Sequence, residues 1–348
     1  MFHSTNPYTG QQLESFESLP PDGLEERMEL AQYVYRNFWQ DMPISERAGY
    51  VQKVASELKE NTDTYARLIS LEMGKPLDQA RGEIEKCAWL CDYFAQYAAG
   101  MLADKEVNTD AHRSLVSYEP LGAVLGIMPW NFPFWQTFRF AVPALLAGNV
   151  ALLKPAPNVP QCGLAIENLF EKATGRKGVF QTLFLEVEII EELLAHPFLA
   201  GVALTGSDRA GSSVAAEAGR HLKKCVLELG GSDAFVVLQD ADIEQAAATA
   251  VKSRMNNNGQ TCIAAKRFIV EEAVAEPFRE AVLEQILSLK LGDPLQEKLD
   301  LSCLARPDLA QNLQQQVEET IRQGATILHE GGLLPGSDTQ YRPWLLTD

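Results

Sequence analysis

With 348 residues the chain exceeds the usual size of one hydrophobic core, so two or more domains are expected. An apolar share of 46% excludes a disordered chain, and a net charge of -17 argues against nucleic acid or an anionic membrane as partner, since both require basic surface. The N-terminus lacks a basic-then-apolar leader, the most apolar run (140–153) is short and broken by Pro143, Gly148 and Asn149, and six scattered cysteines make no disulfide framework, so a reducing cytoplasm is expected.

In chain order, Asn6-Pro7-Tyr8-Thr9-Gly10 reads as a turn. A helix is expected over 24–38, ending before Pro43. A second opens at Ser45, is interrupted near Asn61 and runs on to Met73, where Gly74-Lys75-Pro76 stops it. Residues 77–102 read as a long amphipathic helix with Cys87 and Cys91 four apart on one face. That pair lacks further ligands nearby, and the five histidines show no ligand spacing, so no metal site is expected. Residues 112–120 read as an alternating strand. Strands at 124–128, 150–153, 179–185, 199–204 and 225–229 then alternate with helices at 133–147, 162–173, 187–195 and 210–222. Continuous apolar strands between amphipathic helices imply an α/β fold with a doubly wound parallel sheet covered on both faces. Such sheets bind ligands beyond the carboxyl ends of their strands. A second α/β unit follows Gly231: a strand at 235–238, a helix at 242–255 capped by Asp240 or Asp242, a strand at 267–270, helices at 274–289 and 307–323, and a strand at 325–329.

Several stretches carry chemistry. Asn256-Asn257-Asn258-Gly259-Gln260-Thr261-Cys262 is rich in amides and glycine, without apolar periodicity, and suits a loop that presents a thiol to a cleft. An isolated cysteine is ordinarily a small buried hydrophobe, a reading the other five take; the polar approach to Cys262 favours a nucleophile. Leu227-Glu228-Leu229-Gly230-Gly231 places a carboxylate between an apolar strand and a Gly-Gly turn, where it can activate water. Pro129-Trp130-Asn131-Phe132-Pro133 restricts the backbone around an amide that serves either as an oxyanion donor or as a turn residue. Thr205-Gly206-Ser207-Asp208-Arg209-Ala210-Gly211 lies where a strand turns into a helix. It suits a pyrophosphate or is an ordinary glycine turn, being neither GxGxxG nor a P-loop. Lys154 ends a buried strand, from which it can snorkel to solvent. Trp135 and Arg139 share a helix face beside Asn131; an arginine among Phe138, Phe140 and Ala141 either bridges to an internal carboxylate or clamps an anionic substrate end.

The segments 227–231 and 259–262 resemble the two active-site signatures of the aldehyde dehydrogenase superfamily, and 129–133 looks like its third, in the same order. The resemblance runs from about Asn6 to the last residue, and Trp135, Arg139 and Lys154-Pro155-Ala156-Pro157-Asn158-Val159 are most similar to the bacterial NAD(P)-dependent succinate-semialdehyde dehydrogenases. It implies a Rossmann-like NAD(P)-binding domain over 1–109 and 121–229, part of an oligomerisation arm over 110–120, and a catalytic domain over 230–348 lacking the C-terminal part of the family pattern. By the same resemblance Cys262 is the nucleophile, Glu228 the base for hydrolysis, and Asn131 with the Cys262 N–H the oxyanion hole. NADP or NAD falls to Ile127, Met128, Pro129, Trp130, Lys154, Ala156, Pro157, Thr205, Gly206, Ser207, Gly211, Leu229 and Gly230, and the aldehyde to Phe132, Trp135 and Arg139. Lys154 would bind the adenosine ribose, and Ser207 the phosphates. Pro157 stands where NAD-preferring relatives carry a glutamate that repels a 2′-phosphate, so NADP is expected to serve at least as well as NAD. The implied reaction oxidises a small aldehyde with a terminal carboxylate, succinate semialdehyde, to the acid through a Cys262 thiohemiacetal and thioester, in a cytoplasmic homodimer or tetramer. The alternatives are another small aldehyde, a cofactor-free thioester hydrolase (which leaves Lys154 and the glycine turn unexplained), and a non-catalytic role for a shortened chain.

Overall fold

A computed structural model describes residues 1–347. The chain divides into two units. One comprises Met1–Ser4, Glu14–Tyr65 and Arg81–Leu229; the other comprises Thr5–Leu13, Ala66–Ala80 and the chain from Gly230 onward. After two short strands, β1 (Phe2–Thr5) and β2 (Gln12–Phe16), come four helices: α1 (Pro21–Val34), α2 (Ile44–Glu60), α3 (Thr62–Met73) and α4 (Leu77–Met101). The first is continued by a π turn, Tyr35–Trp39, where a plain helix over 24–38 is expected. This turn buries Trp39, whose indole N–H donates to the Leu145 carbonyl at 3.2 Å, a long-range bond with no local sequence signal.

The expected strand over 112–120 shrinks to β4 (Leu115–Val116), paired antiparallel with β3 (Lys105–Glu106). Alternation there produces no longer ladder, because both strands are exposed along their length and bury no face. The βα rhythm follows: β5 (Ala123–Ile127), α5 (Pro133–Leu146), β6 (Val150–Lys154), α6 (Pro160–Thr174), β7 (Phe180–Thr182), α7 (Val187–Ala195), β8 (Leu199–Thr205), α8 (Asp208–Arg220) and β9 (Lys224–Glu228). Prolines open α5 and α6, where their fixed φ and missing N–H cost nothing, and Gly175 ends α6 at φ 66. The five strands form one parallel sheet in the order β7-β6-β5-β8-β9. Its core includes a run of rings, Phe134–Phe138–Phe170–Phe180, with centroids 6.3, 5.6 and 4.9 Å apart.

In the second unit β10 (Ala234–Val237) pairs parallel with β11 (Arg267–Val270), and α9 (Ile243–Met255) and α10 (Glu272–Ser288) cover them. Of the two expected caps, Asp242 serves α9, accepting from the Gln245 N–H at 3.1 Å. Helix α11 (Pro307–Arg322) leads to β12 (Thr326–His329), and three short strands, β13 (Gly332–Leu333), β14 (Tyr341–Arg342) and β15 (Leu345–Thr347), form ladders that the sequence reading lacks. Among the described residues no helix is long and apolar enough to cross a membrane.

Candidate active site

The chain leaves β5 for β6 and β7 on one side, then returns to lay β8 on the other. Neighbouring connections therefore diverge at the carboxyl ends of β5 and β8, where doubly wound sheets bind ligands. The register sets Ile127 beside Lys154 and Leu204, and Thr205 beside Glu228. Met128-Pro129-Trp130 and Thr205-Gly206-Ser207 thus leave adjacent strands at the switch point, flanked by Lys154 and Glu228 on the next strands out. Ser207 acts first as the N-cap of α8, its Oγ accepting from the Ala210 N–H at 3.3 Å, so α8 starts two residues before the expected 210–222 span. A Cβ at Gly211 would stand 2.5 Å from Leu229 Cδ2, so a glycine there lets the helix lie against the end of the sheet. Leu229 is the last residue of the first unit, and Gly230 belongs to the second.

Lys154 is only 8% exposed; it does not snorkel, and burial pushes its pKa down, partly offset by the charge of Glu186. Its ammonium lies 5.7 Å from the centre of the Phe2 ring. Ala156 is half-buried, and exposed Pro157 follows on the turn. Both amide atoms of Asn158, the next residue, are buried without a hydrogen-bond partner. Orphaned donors and acceptors on the turn that follows buried Lys154 in the chain fit a ligand carrying hydroxyls and phosphate, and the residues present therefore suit a dinucleotide. Asn158 stands in the 154–159 motif read from the sequence, but that reading gave its side chain no role.

The 129–133 segment is aimed by an unexpected residue. Glu83 of α4, 4% exposed, accepts from the Phe134 and Trp135 N–H groups at 3.0 Å each. Pro133 has no N–H to satisfy, and the Gln136 N–H reaches the Phe132 carbonyl at 3.0 Å, so the first turn of α5 is fully bonded immediately after Asn131 and Phe132. Trp135 receives the Lys86 ammonium over its ring at 3.9 Å. One turn on, Arg139 Nη2 donates to Glu228 Oε1 at 3.2 Å, an exposed carboxylate rather than an internal one, and Nη1 donates to Gln136 Oε1 at 3.3 Å. The pair lies on the wall of an apolar cleft of about 360 Å³, which Met128, Phe140, Thr205 and Val226 also line.

In the second unit, Asn257 and Asn258 adopt φ of 55 and 56, and Gly259 a φ of 77, a left-handed run that asparagine and glycine tolerate best. Side-chain amides clamp it. Asn258 Nδ2 donates to the Gly74 and Cys303 carbonyls at 2.9 and 2.8 Å, its Oδ1 accepts from the Ser302 N–H at 2.6 Å, and Gln260 Oε1 accepts from the Ala305 N–H at 2.9 Å. The Asn257 N–H donates to Gln79 Oε1 at 2.7 Å. The run ends at exposed, unbridged Cys262, while Cys303 is buried and its thiol pushed up to about 12 by desolvation. Lys266, absent from the sequence reading, ties the loop down: Nζ donates to the Cys262 carbonyl at 2.6 Å and the Gly231 carbonyl at 2.5 Å. Asn131, Phe132, Trp135, Arg139 and Glu228 belong to the first unit and Cys262 to the second. Among the described residues no group of side chains could hold a metal ion.

A parallel sheet with a glycine turn at its switch point, followed by an α/β unit that exposes a thiol on a clamped loop, defines the class of two-unit, nucleotide-binding α/β enzymes. The profile described as "Aldehyde dehydrogenase family" matches residues 1–348. The chain is 47% identical to the probable succinate-semialdehyde dehydrogenase [NADP(+)] of Synechocystis over 343 residues, covering 99% of this chain and 75% of that one. It is 42% identical to the succinate semialdehyde dehydrogenase [NAD(P)+] Sad of Escherichia coli, covering 99% and 74%. The crystal structure of succinic semialdehyde dehydrogenase from Streptococcus pyogenes in complex with NADP+ superposes with a TM-score of 0.96 at 32% identity, covering 99% of this chain and 76% of that one. The chain belongs to the aldehyde dehydrogenase family.

Proposed function

We propose that the protein oxidises succinate semialdehyde to succinate, with NADP serving at least as well as NAD. The observation that carries this reading is Arg139, a guanidinium on an apolar cleft that already grips a carboxylate at 3.2 Å. Names of relatives on two sides of the comparison, sequence and structure, support the same substrate and cofactor. Lys154, Asn158, Ser207 and the start of α8 would hold the dinucleotide, and Pro157 leaves room for a 2′-phosphate without like-charge repulsion. The bound nicotinamide supplies the acceptor for the hydride that leaves the aldehyde carbon.

The chain's own groups do the rest. Cys262, as thiolate, adds to the aldehyde carbon, and the oxyanion of the resulting thiohemiacetal accepts hydrogen bonds from the Asn131 amide and the Cys262 N–H. At the thioester stage Glu228 takes a proton from water, the oxygen adds to the acyl carbon, and the C–S bond breaks to return the thiolate. Arg139 and Trp135 hold the far carboxylate and the methylene chain. Residues 110–120 would pair subunits into a dimer or tetramer, and six unbridged cysteines support a cytoplasmic setting. The test compares Arg139→Ala on succinate semialdehyde and on butanal. KM is expected to rise far more for the first, and equal effects on both would refute the assignment.

A further inference from the structure

Arg139 faces two claims. Both nitrogens of its fork are engaged, one by Glu228 and one by Gln136, which lies three residues earlier on α5 and is 4% exposed. Gln136 therefore fixes how the fork enters the cleft. Glu228 is held differently. Its backbone is fixed by the β8 ladder and by the Gly206 N–H, which donates to its carbonyl at 3.0 Å, while its side chain is 57% exposed and meets Arg139, itself 39% exposed, through a single oxygen. A one-point ion pair of this exposure favours the paired state by a factor of about five at most. An incoming carboxylate that engages the guanidinium through two oxygens binds it more strongly and displaces Glu228 at little cost.

We propose that Arg139 is a latch on the hydrolytic base. With no carboxylate in the cleft it holds the Glu228 side chain. The substrate's own carboxylate takes over Arg139 and frees Glu228 to accept the proton of the attacking water. The inference rests on the proposed roles of Glu228 as base and Arg139 as carboxylate contact. It moves part of the substrate selection from binding to deacylation: a neutral aldehyde acylates Cys262, but Glu228 stays latched, the water keeps its proton, and the C–S bond breaks slowly.

The test measures the burst and the steady-state kcat of the full chain with butanal, with and without added acetate, beside Arg139→Gln. Butanal is expected to give a burst of reduced cofactor and then slow turnover. Acetate, pairing with Arg139, raises that kcat roughly threefold to fivefold in the unmutated protein. Arg139→Gln raises it by a similar factor and no longer responds to acetate. The kcat for saturating succinate semialdehyde is indifferent to acetate. A butanal kcat that neither acetate nor Arg139→Gln raises, together with a raised KM for succinate semialdehyde in Arg139→Gln, overturns the latch and leaves the proposed function standing. An unchanged KM for succinate semialdehyde in that variant removes the carboxylate role of Arg139, and the latch with it.

Discussion

Replacing Glu83 by alanine strips the N-terminus of α5 of its acceptor, and the cost follows from the bonding of that turn. Pro133 brings no N–H, the Gln136 N–H is satisfied by Phe132, and the remaining two N–H groups, of Phe134 and Trp135, both end on one Glu83 oxygen at 3.0 Å. Each buried donor left without a partner costs about 1–3 kcal/mol, so the pair costs about 2–4 kcal/mol after some relaxation. For a domain of this size class that corresponds to a fall in Tm of roughly 5–10 °C. Glu83→Gln keeps an acceptor oxygen but loses the charge that favours a helix N-terminus, and should lose about half as much. Thermal unfolding followed by circular dichroism measures both. Because the same turn presents Asn131 and Trp135, kcat/KM for succinate semialdehyde should fall as well, at a temperature where the variant is folded. A Glu83→Ala protein that melts within about a degree of the unmutated one would refute the claim that this carboxylate holds the α5 start.

Two further substitutions probe the cofactor end. Pro157→Glu should lower kcat/KM with NADP by roughly tenfold or more while largely sparing NAD, since a carboxylate near a 2′-phosphate costs on the order of 1 kcal/mol per charge pair even in water; an unchanged NADP-to-NAD ratio would contradict the reading of Pro157. Burial holds Lys154 below the ordinary lysine value of 10.5. Between that lowered value and 10.5 the unfolded chain binds this proton more readily than the folded one, so the contribution of Lys154 to stability rises as pH climbs through the window. Urea midpoints across the alkaline range should therefore rise less steeply in Lys154→Met, and parallel slopes would show that the lysine is not desolvated.

The βα alternation was legible because its strands are continuous apolar runs bounded by glycine and proline, and because Pro133 and Pro160 mark helix starts. The amide run before Cys262 was legible as a loop, since Asn257, Asn258 and Gly259 suit a left-handed backbone. Its clamps were not, because Gln79, Gly74, Cys303 and Ala305 are remote in sequence from it or pair through backbone carbonyls. Lys266 carries no pattern at all. Glu83 left a trace: it shares the apolar face of α4 with Ala80, Ile84 and Cys87, where a carboxylate requires a partner. For Arg139 the sequence offered a bridge to an internal carboxylate or a substrate clamp; the structure pairs it with Glu228, whose carboxylate is exposed. The strand expected over 112–120 failed because period-two alternation signals a strand only where a core takes one face, and the short strands after His329 fell below the length at which any period can be read.

If Cys262 and Glu228 divide one reaction between them, the rapid-mixing time course of Glu228→Gln with succinate semialdehyde and NADP separates their two steps. A burst of one reduced cofactor per active thiol followed by near-complete arrest is expected, absent when Cys262 is also replaced by alanine. Steady turnover at the unmutated rate, or a burst that survives the loss of Cys262, would contradict it.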